Sequence, residues 1–422
     1  MAPPPTLSPD DFYFDSMGTT EDIVRYCPGG YHPVTIGDIL CGSNDGAHSS
    51  KGAYRVMHKL GFGSYATVWL GQRVESAAGG QIYAPSGGFV SLKVTIASES
   101  DKEAEMIELA SGVVKQASIA GDAASEGPSH VLTLLDKFEH RGPNGVHSVI
   151  VTDVMAPLLS FHISRRLPRW RKIAAFGLAK AVAQLHAAGV VHGDLHLGNV
   201  GVAMPQLCEQ DPSDVMQDLD AHELTVVLPV DPANQTHCLP SYVVKPCDLA
   251  TYYDRIAGGA EPQTKLFDFG NAHKAGTLPT AFQCAPEACS PEVAFARVVE
   301  KVRNPPVEPP SDIWALGASI YEIVTGSSLF HGVGVNGLPQ CAAAMSATLP
   351  PSWKTWWEST PRPPQNPDAW WTEHRARLRV GCASDEDAEA LARLLRKILV
   401  LEPEMRPPAA EIVGDEWFRD VE

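Results

Sequence analysis

The sequence predicts an α+β protein with a small β-rich lobe followed by a larger helical lobe. Short apolar runs separated by Gly-rich turns dominate residues 54–154, which is typical of antiparallel strands. Beyond this region apolar residues recur at three- and four-residue steps, as at Ile173, Phe176 and Ala179, which is typical of helices. With 422 residues and 44% hydrophobic content, the chain is long enough to bury the core of such a two-lobed unit.

The composition shifts along the chain suggest further boundaries. We predict a flexible leader at 1–20 and an N-terminal segment at 21–53. A β-rich lobe at 54–154 and a helical lobe at 155–422 are predicted to follow. The helical lobe is predicted to carry an insertion at about 200–264. Within it, the stretch from Cys208 to Leu224 holds six carboxylates and no Lys or Arg. A solvated loop and a docking or regulatory surface are both open interpretations of this stretch.

The overall charge and the cysteine pattern exclude several classes of protein. A formal net charge of −17 argues against nonspecific nucleic-acid binding and favours a basic protein partner, although it also serves solubility. Nine cysteines without a C-x-x-C pair predict neither a disulfide framework nor a zinc site, and indicate a reducing compartment. We find no signal peptide and no apolar run of transmembrane length. These features predict a soluble protein of the cytoplasm, the nucleus or both.

The most informative stretch runs from Val191 to Asn199 and reads VHGDLHLGN. It places an aspartate and an asparagine five residues apart. Phosphoryl transfer needs a carboxylate to orient the acceptor hydroxyl and oxygen ligands for a metal ion. We therefore predict that Asp194 orients the hydroxyl and accepts its proton. Asn199 and Asp268, the latter in the sequence KLFDFG, are predicted to hold the metal ions.

A Gly-rich stretch, LGFGSYATV from Leu60 to Val68, matches a loop whose backbone amides approach nucleotide phosphates. The third glycine of the usual pattern is replaced by Ala66, and Val68 is placed to cover the adenine. By itself the stretch also fits an ordinary hairpin. The nucleotide-binding residues predicted here and in the strands that follow are Leu60, Gly61, Gly63, Ser64, Ala66, Val68, Lys93, Asp153 and Met155.

Lys93 lies in the apolar run SLKV, where an unpaired charge would be costly to bury. An ion pair with a helix glutamate, together with contact to the α- and β-phosphates of a nucleotide, would compensate the charge of Lys93. We predict Glu105 as that partner, with Glu103 and Glu108 as rivals.

Three further features follow the predicted metal ligands along the chain. The tripeptide Ala285-Pro286-Glu287 is predicted to close the activation segment. Asp312, in the sequence DIWALG, is predicted to accept hydrogen bonds from the backbone of the catalytic loop. Arg406 is predicted to form an ion pair with Glu287.

Taken together, these motifs resemble the eukaryotic protein kinase family over roughly residues 50–420. The segment from Tyr26 to Asp38, YCPGGYHPVTIGD, is similar to the Y-C-x-G-G-Y-H-P-V-x-I-G-D segment of the SR-protein kinases (the SRPK family). The segment from Asp268 to Ala272, DFGNA, is similar to that family's D-L-G-N-A. The insertion after Asn199 falls where those kinases carry a spacer. The chain is therefore identified as a divergent, fungal-like member of this family.

The resemblance implies a bilobal protein kinase fold and a serine/threonine kinase that uses ATP and Mg²⁺. It also implies basic Arg/Ser-rich substrates, a role in the regulation of mRNA splicing, constitutive activity and a monomeric state. Nucleic acid and membranes are not expected as direct partners.

The sequence departs from the family pattern in several places. His196 replaces the usual lysine against the γ-phosphate, so we expect a lower rate of transfer without its loss. Gly193 stands where many regulated kinases carry an arginine that pairs with a phosphorylated activation loop. The spacer is also shorter, and the segment 277–284 is unlike the family's P+1 loop.

Two other functions remain as alternatives. A pseudokinase scaffold would be favoured by loss of Lys93, Asp194, Asn199 or Asp268, and all four are present. A small-molecule phosphotransferase would fit the sequence from His192 to His196, but not the features at Ala285 and Asp312.

Overall fold

The structure, a computed structural model, describes residues 7–14, 18–42, 52–76, 83–98, 102–119, 129–278, 283–360 and 366–421. It divides into two compact units. The first contains the described residues of 1–104, 133–156 and 203–259, and the second those of 105–132, 157–202 and 260–422. The predicted α+β class is confirmed, with a β-rich N-terminal region and a helical C-terminal region.

The first unit is built on a six-stranded antiparallel sheet with the strand order β1-β2-β3-β4-β6-β5. Its strands are β1 (Ile39–Cys41), β2 (Ala53–Gly63), β3 (Ala66–Ser76), β4 (Tyr83–Thr95), β5 (Leu134–Gly142) and β6 (Gly145–Thr152). Alternate residues of these strands, among them Val56, Trp69 and Leu92, form a buried core on one face of the sheet. Because β4 lies between β3 and β6, Lys93 pairs in register with both Val68 and Ile150.

Residues 203–259, predicted as an insertion in the helical lobe, belong to the first unit. They form α3 (Pro212–Asp218), the antiparallel pair β10 (Leu224–Val226) and β11 (Tyr242–Val244), and α4 (Leu249–Ile256). Val244 joins the core of the large sheet, and Val243 packs in a second apolar cluster with Tyr26 and Tyr31. The acidic stretch is therefore partly ordered by burial, since Val215 and Leu219 within it are buried.

The N-terminal residues also pack on the first unit. Pro9–Asp11 form a 3-10 helix, and Phe12 is buried in the cluster with Tyr26. Within the predicted flexible leader, Leu7 and Phe12 are therefore held by apolar packing, while Tyr13 and Phe14 are exposed and residues 1–6 and 15–17 lie outside the described residues. Farther on, Glu21 forms a buried ion pair with Lys59 of β2 and accepts a hydrogen bond from Tyr26 Oη.

The second unit is mainly helical. Its helices are α2 (Pro168–Ala187), α5 (Pro291–Val298), α6 (Pro309–Thr325), α7 (Leu338–Met345), α8 (Pro351–Ser359), α9 (Pro367–Gly381), α10 (Asp385–Ile398) and α11 (Ala409–Val413). The chain passes from the first unit to the second within α1 (Lys102–Ile119). Helix α2 packs against α6 and α11, and the chain turns after it at Gly189, whose φ is +68°. No described helix has the length and apolarity needed to cross a membrane.

Short strands flank the loops that carry the predicted catalytic and metal-binding residues of the second unit. They are β8 (Val190–Val191), β9 (Val200–Ala203), β12 (Thr264–Leu266) and β13 (His273–Lys274). Strand β8 pairs with β13, and β9 pairs with β12. β7 (Met155–Pro157) lies where the chain leaves the first unit for the second time.

Candidate active site

The predicted phosphate loop is the hairpin between β2 and β3 in the first unit. Gly63 pairs with Ala66 across a two-residue turn, and Gly61 pairs with Val68. Apart from the chain neighbours, no atom of the described residues lies within 4 Å of the position that a Cβ would take at Gly61 or Gly63. The backbone at both glycines is therefore open to an approaching phosphate group. Ala66 is only 3% exposed, which is consistent with a small apolar residue in the third glycine position.

Lys93 forms an ion pair with Glu103, and its Nζ lies 2.7 Å from that carboxylate. The prediction of Glu105 is wrong. Helix α1 begins at Lys102, so Glu103 lies in its first turn and is 8% exposed, whereas Glu105 and Glu108 are exposed. Residues two apart on a helix point in different directions, so Glu105 cannot replace Glu103. The Lys93 side chain keeps 20% of its surface exposed.

Asp153 and Met155 follow β6 in the first unit. Asp153 is half-buried and Met155 is buried, and the intervening Val154 accepts a hydrogen bond from Met204 N at 3.3 Å. Their predicted contact with the nucleotide stays a prediction.

In the second unit, Asp312 holds the start of the catalytic loop, as predicted. It accepts hydrogen bonds from His192 N at 2.7 Å and from Gly193 N at 3.1 Å. His186 Nε2 lies 3.2 Å from the same carboxylate. Burial raises the pKa of Asp312, but the hydrogen bond and charge of His186 outweigh it and hold that pKa below the usual value. An ionised Asp312 at the base of α6 therefore fixes the loop backbone.

His192 connects the catalytic loop to the segment that precedes Asp268. Its Nδ1 accepts a hydrogen bond from Asp194 N at 3.3 Å, and its Nε2 donates to Phe267 O at 3.1 Å. The ring is fully buried and packs edge-on against Phe269, with centroids 5.4 Å apart. It therefore links the backbone of the predicted base to the chain beside the predicted metal ligand.

The two predicted metal ligands are joined through the backbone. Asn199 ends the 3-10 helix Leu197–Asn199, and its carbonyl accepts a hydrogen bond from Phe267 N at 3.0 Å. Its Nδ2 donates to Asp194 O at 2.9 Å, so Oδ1 is the atom placed to ligate a metal. Asp268 adopts a φ of +61°, a left-handed conformation that a non-glycine residue rarely takes.

This donor set fits magnesium. Carboxylate and amide oxygens are the ligands that Mg²⁺ prefers, and it usually takes one or two carboxylates together with substrate phosphates. The described residues contain no cluster of three or more His, Cys, Asp or Glu side chains able to hold a metal without such a substrate.

The activation segment closes at a different glutamate from the one predicted. Arg406, whose side chain is fully buried, pairs with Glu292 through Nη1–Oε1 at 2.9 Å and Nη2–Oε2 at 2.7 Å. The predicted pairing with Glu287 is wrong, because Glu287 lies on an exposed turn while Glu292 begins α5. Burial raises the pKa of Glu292, but the Arg406 guanidinium outweighs burial and holds it below the usual value.

Comparison with known proteins finds similarity to protein kinases over part of the chain. Residues 257–418 match the family model of the protein kinase domain. Protein kinase dsk1 of Schizosaccharomyces pombe is 32% identical over 211 residues, which cover 49% of this chain and 34% of dsk1. Human SRSF protein kinase 3 is 32% identical over 137 residues, covering 32% of this chain and 20% of that protein. Over these aligned regions the chain is similar to SRPK-related protein kinases.

The likeness to these relatives is partial, since the matched region spans about a third of dsk1. A serine/threonine protein kinase of Aspergillus fumigatus is 24% identical over 449 residues, covering 99% of this SRPK-like chain and 96% of that protein.

Asn271 is a site residue of the SRPK-like chain that sequence reasoning missed. Its Nδ2 donates to Gln283 Oε1 at 2.9 Å and lies 3.4 Å from Asp194 Oδ2. It therefore positions the carboxylate of the predicted base. Asn271 belongs to the motif from Asp268 to Ala272, which was interpreted only as a resemblance to the SRPK family and not as a source of a site residue.

His196 is half-buried beside the carboxylates of the SRPK-like site. Its Nδ1 accepts a hydrogen bond from Gly198 N at 3.1 Å, which places the proton of the neutral ring on Nε2. Burial lowers the pKa of His196, and this outweighs the opposite effect of Asp194. At neutral pH the side chain is therefore an uncharged donor, unlike a lysine.

The structure contains a disulfide that the sequence interpretation did not expect. Cys284 and Cys289 are bonded, with their Cα atoms 5.5 Å apart, and the other seven cysteines are free. A turn joins the two residues, since the amides of Ala288 and Cys289 both donate to Ala285 O. Of the predicted divergent segment 277–284, residues 279–282 lie outside the described residues.

Proposed function

We propose that this SRPK-like chain is an ATP-dependent serine/threonine kinase. The observation that supports it most directly is the hydrogen-bonded connection of Asp194, Asn199 and Asp268. Asn199 Nδ2 binds Asp194 O at 2.9 Å, and Phe267 N, beside Asp268, binds Asn199 O at 3.0 Å. A base and two oxygen ligands held on one backbone network are the parts that phosphoryl transfer needs.

Each residue has a defined role in the proposed reaction. Asp194 orients the acceptor hydroxyl and takes its proton as the new P–O bond forms. Asn199 Oδ1 and an oxygen of Asp268 would hold the magnesium ions, which neutralise charge on the nucleotide phosphates when bound. Lys93, held by Glu103, would contact the α- and β-phosphates, and the open backbone at Gly61 would accept a phosphate oxygen.

We propose an Arg/Ser-rich protein as the substrate. The net charge of −17 favours association with a basic segment. SRSF protein kinase 3 is named for such a substrate class, and it shares 32% identity over the aligned residues. A role in splicing regulation would follow from that substrate.

We also propose that the kinase is active without phosphorylation of its activation segment. Gly193 has a φ of +77°, and a Cβ there would meet Asn271 O at 3.0 Å and the His273 ring at 3.4 Å. His273 lies within 3.1 Å of Asn271 O and 2.9 Å of Val307 O through its two ring nitrogens. These contacts hold His273 between Asn271 and the residues before α6, which supports activity without a phosphate. Phosphatase treatment should leave the activity of the purified protein unchanged, and a loss would contradict the proposal.

The kinase function is tested by γ-phosphate transfer from radiolabelled ATP to a protein substrate, comparing the native protein with Asp194→Asn. Transfer that depends on Asp194 supports the proposal. ATP binding without transfer favours a pseudokinase scaffold, and transfer only to small alcohols or amines favours a small-molecule phosphotransferase. Location in the cytoplasm or nucleus, the monomeric state and the lack of nucleic-acid and membrane partners stay predictions.

A further inference from the structure

The Cys284–Cys289 disulfide lies at the acceptor side of the candidate active site. Both cysteines line a small open pocket in the second unit, together with Asp194 and Gln283. Cys289 is 8% exposed, while Cys284 is half-buried and so accessible to a small reagent. Ser290 lines the same pocket, and its buried Oγ has no hydrogen-bond partner among the described residues.

The two ends of the disulfide differ in how firmly they are held. Cys289 precedes α5, whose Glu292 is fixed by the buried Arg406. Cys284 follows Gln283, whose Oε1 accepts a hydrogen bond from Asn271 Nδ2. The disulfide therefore joins the residue before α5 to the residue after Gln283, whose side chain accepts the hydrogen bond of Asn271 beside Asp194.

We propose that Cys284 and Cys289 form a redox-modification site that controls binding of the acceptor substrate. With the disulfide formed, Gln283 stays on Asn271, and Asn271 keeps the Asp194 carboxylate in place. With the two thiols reduced, the covalent link to α5 is lost, and the Gln283 side chain keeps its hydrogen bond to Asn271 as its one contact of this kind among the described residues. The inference rests on the proposed kinase function and adds control by a thiol-disulfide couple of the glutathione class.

The chemistry balances with glutathione disulfide as the oxidant. The Cys284 thiolate attacks one sulfur of glutathione disulfide, which forms a mixed disulfide and releases one glutathione thiolate. The Cys289 thiolate then attacks the Cys284 sulfur, forming the protein disulfide and releasing the second glutathione. The protein loses two electrons and two protons, and the oxidant is reduced to two glutathione molecules.

The test is a titration of the full-length chain in glutathione buffers of fixed ratio. Alkylation and mass spectrometry of the peptide that contains both cysteines give the oxidised fraction, and the same samples give the KM for the acceptor at saturating ATP. We expect the acceptor KM to rise roughly fivefold on reduction while the KM for ATP stays constant. Cys284→Ser and Cys289→Ser should resemble the reduced protein at every ratio. Cys341→Ser, at a half-buried free cysteine on α7, should respond like the native chain.

Two results would overturn the inference. One is failure of the disulfide to form at any glutathione ratio, and the other is an equal acceptor KM in the oxidised and reduced protein. If no sample transfers phosphate, the kinase function fails and hydrogen exchange of residues 283–290 decides the redox site alone. Faster exchange on reduction would then support the site, and equal exchange would overturn it.

Discussion

Arg406 and Glu292 form a bidentate ion pair, with Nη1–Oε1 at 2.9 Å and Nη2–Oε2 at 2.7 Å. The arginine side chain is fully buried, while the glutamate keeps 26% of its side chain exposed. Ser311 Oγ also donates to Glu292 Oε1 at 2.9 Å, so the pair ties α5 to α6 and to the loop before α11. The pair also fixes the end of the activation segment at Glu292 rather than at Glu287.

Replacing Glu292 should therefore destabilise the protein. Glu292→Ala leaves the buried Arg406 without its counter-ion, and we expect the free energy of unfolding to fall by about 3 kcal/mol. Denaturant unfolding of the native and variant proteins measures the change. Glu287→Ala is the matched control and should change stability by less than about 0.5 kcal/mol, since Glu287 is exposed. Equal effects at both positions would contradict the assignment.

The partner of Lys93 can be tested in the same paired way. Glu103→Gln removes the charge that orients the ammonium group of Lys93. We expect kcat/KM to fall about 10- to 100-fold, which corresponds to the energy of a hydrogen bond to a charged group. Steady-state kinetics with varied ATP measure the effect. Glu105→Gln should leave kcat/KM within about twofold of the native value, because Glu105 is exposed on α1. A larger loss at Glu105 than at Glu103 would refute the pairing seen here.

His196 offers a test of charge at the γ-phosphate position. A lysine at that position would bring a charge that the neutral histidine lacks, so His196→Lys should raise turnover about tenfold. Turnover measured from pH 6 to 9 checks this. His162→Lys, at an exposed histidine of the same unit, serves as the control and should not change turnover. If His196→Lys turned over at the native rate at every pH, His196 would not contact the phosphate.

A buried histidine of the first unit predicts how stability varies with pH. Burial, with His140 and His147 nearby, lowers the pKa of His32 to about 3. The unfolded chain binds a proton at this histidine near pH 6.5, and the folded chain does not. The stabilisation that comes from keeping His32 neutral is therefore complete above pH 6.5 and is lost as the pH falls toward 3. Between pH 6.5 and 5, the free energy of unfolding should therefore fall by about 2 kcal/mol less in His32→Gln than in the native protein.

Unfolding at several pH values measures this difference. His237→Gln, at an exposed histidine, should follow the native protein. A native-like pH dependence in His32→Gln would show that His32 does not carry the effect.

Much of the site could be predicted because the motifs are local in sequence. Asp194 and Asn199 lie on one short loop, and Asp312 opens a helix, so their contacts follow from a few residues of spacing. The α+β class followed from the change in apolar periodicity after residue 155.

The errors arose where a choice depended on long-range pairing. Two tripeptides, Ala285-Pro286-Glu287 and Ser290-Pro291-Glu292, have the same Pro-Glu ending, and only the contact with the distant Arg406 distinguishes them. The choice between Glu103 and Glu105 depended on the residue at which α1 begins. The Cys284–Cys289 bond depended on a turn whose geometry the composition does not reveal.

The most direct test of the proposed function is the rate of phosphate transfer from ATP to a peptide of Arg-Ser repeats. The same assay takes a Lys-Ser repeat peptide and the Asp194→Ala variant as controls. We predict rapid phosphorylation of serine in the Arg-Ser peptide, slower reaction with the Lys-Ser peptide, and loss of both with Asp194→Ala. Equal rates on the two peptides would contradict the Arg/Ser substrate. Transfer by Asp194→Ala at the native rate would contradict the assigned site.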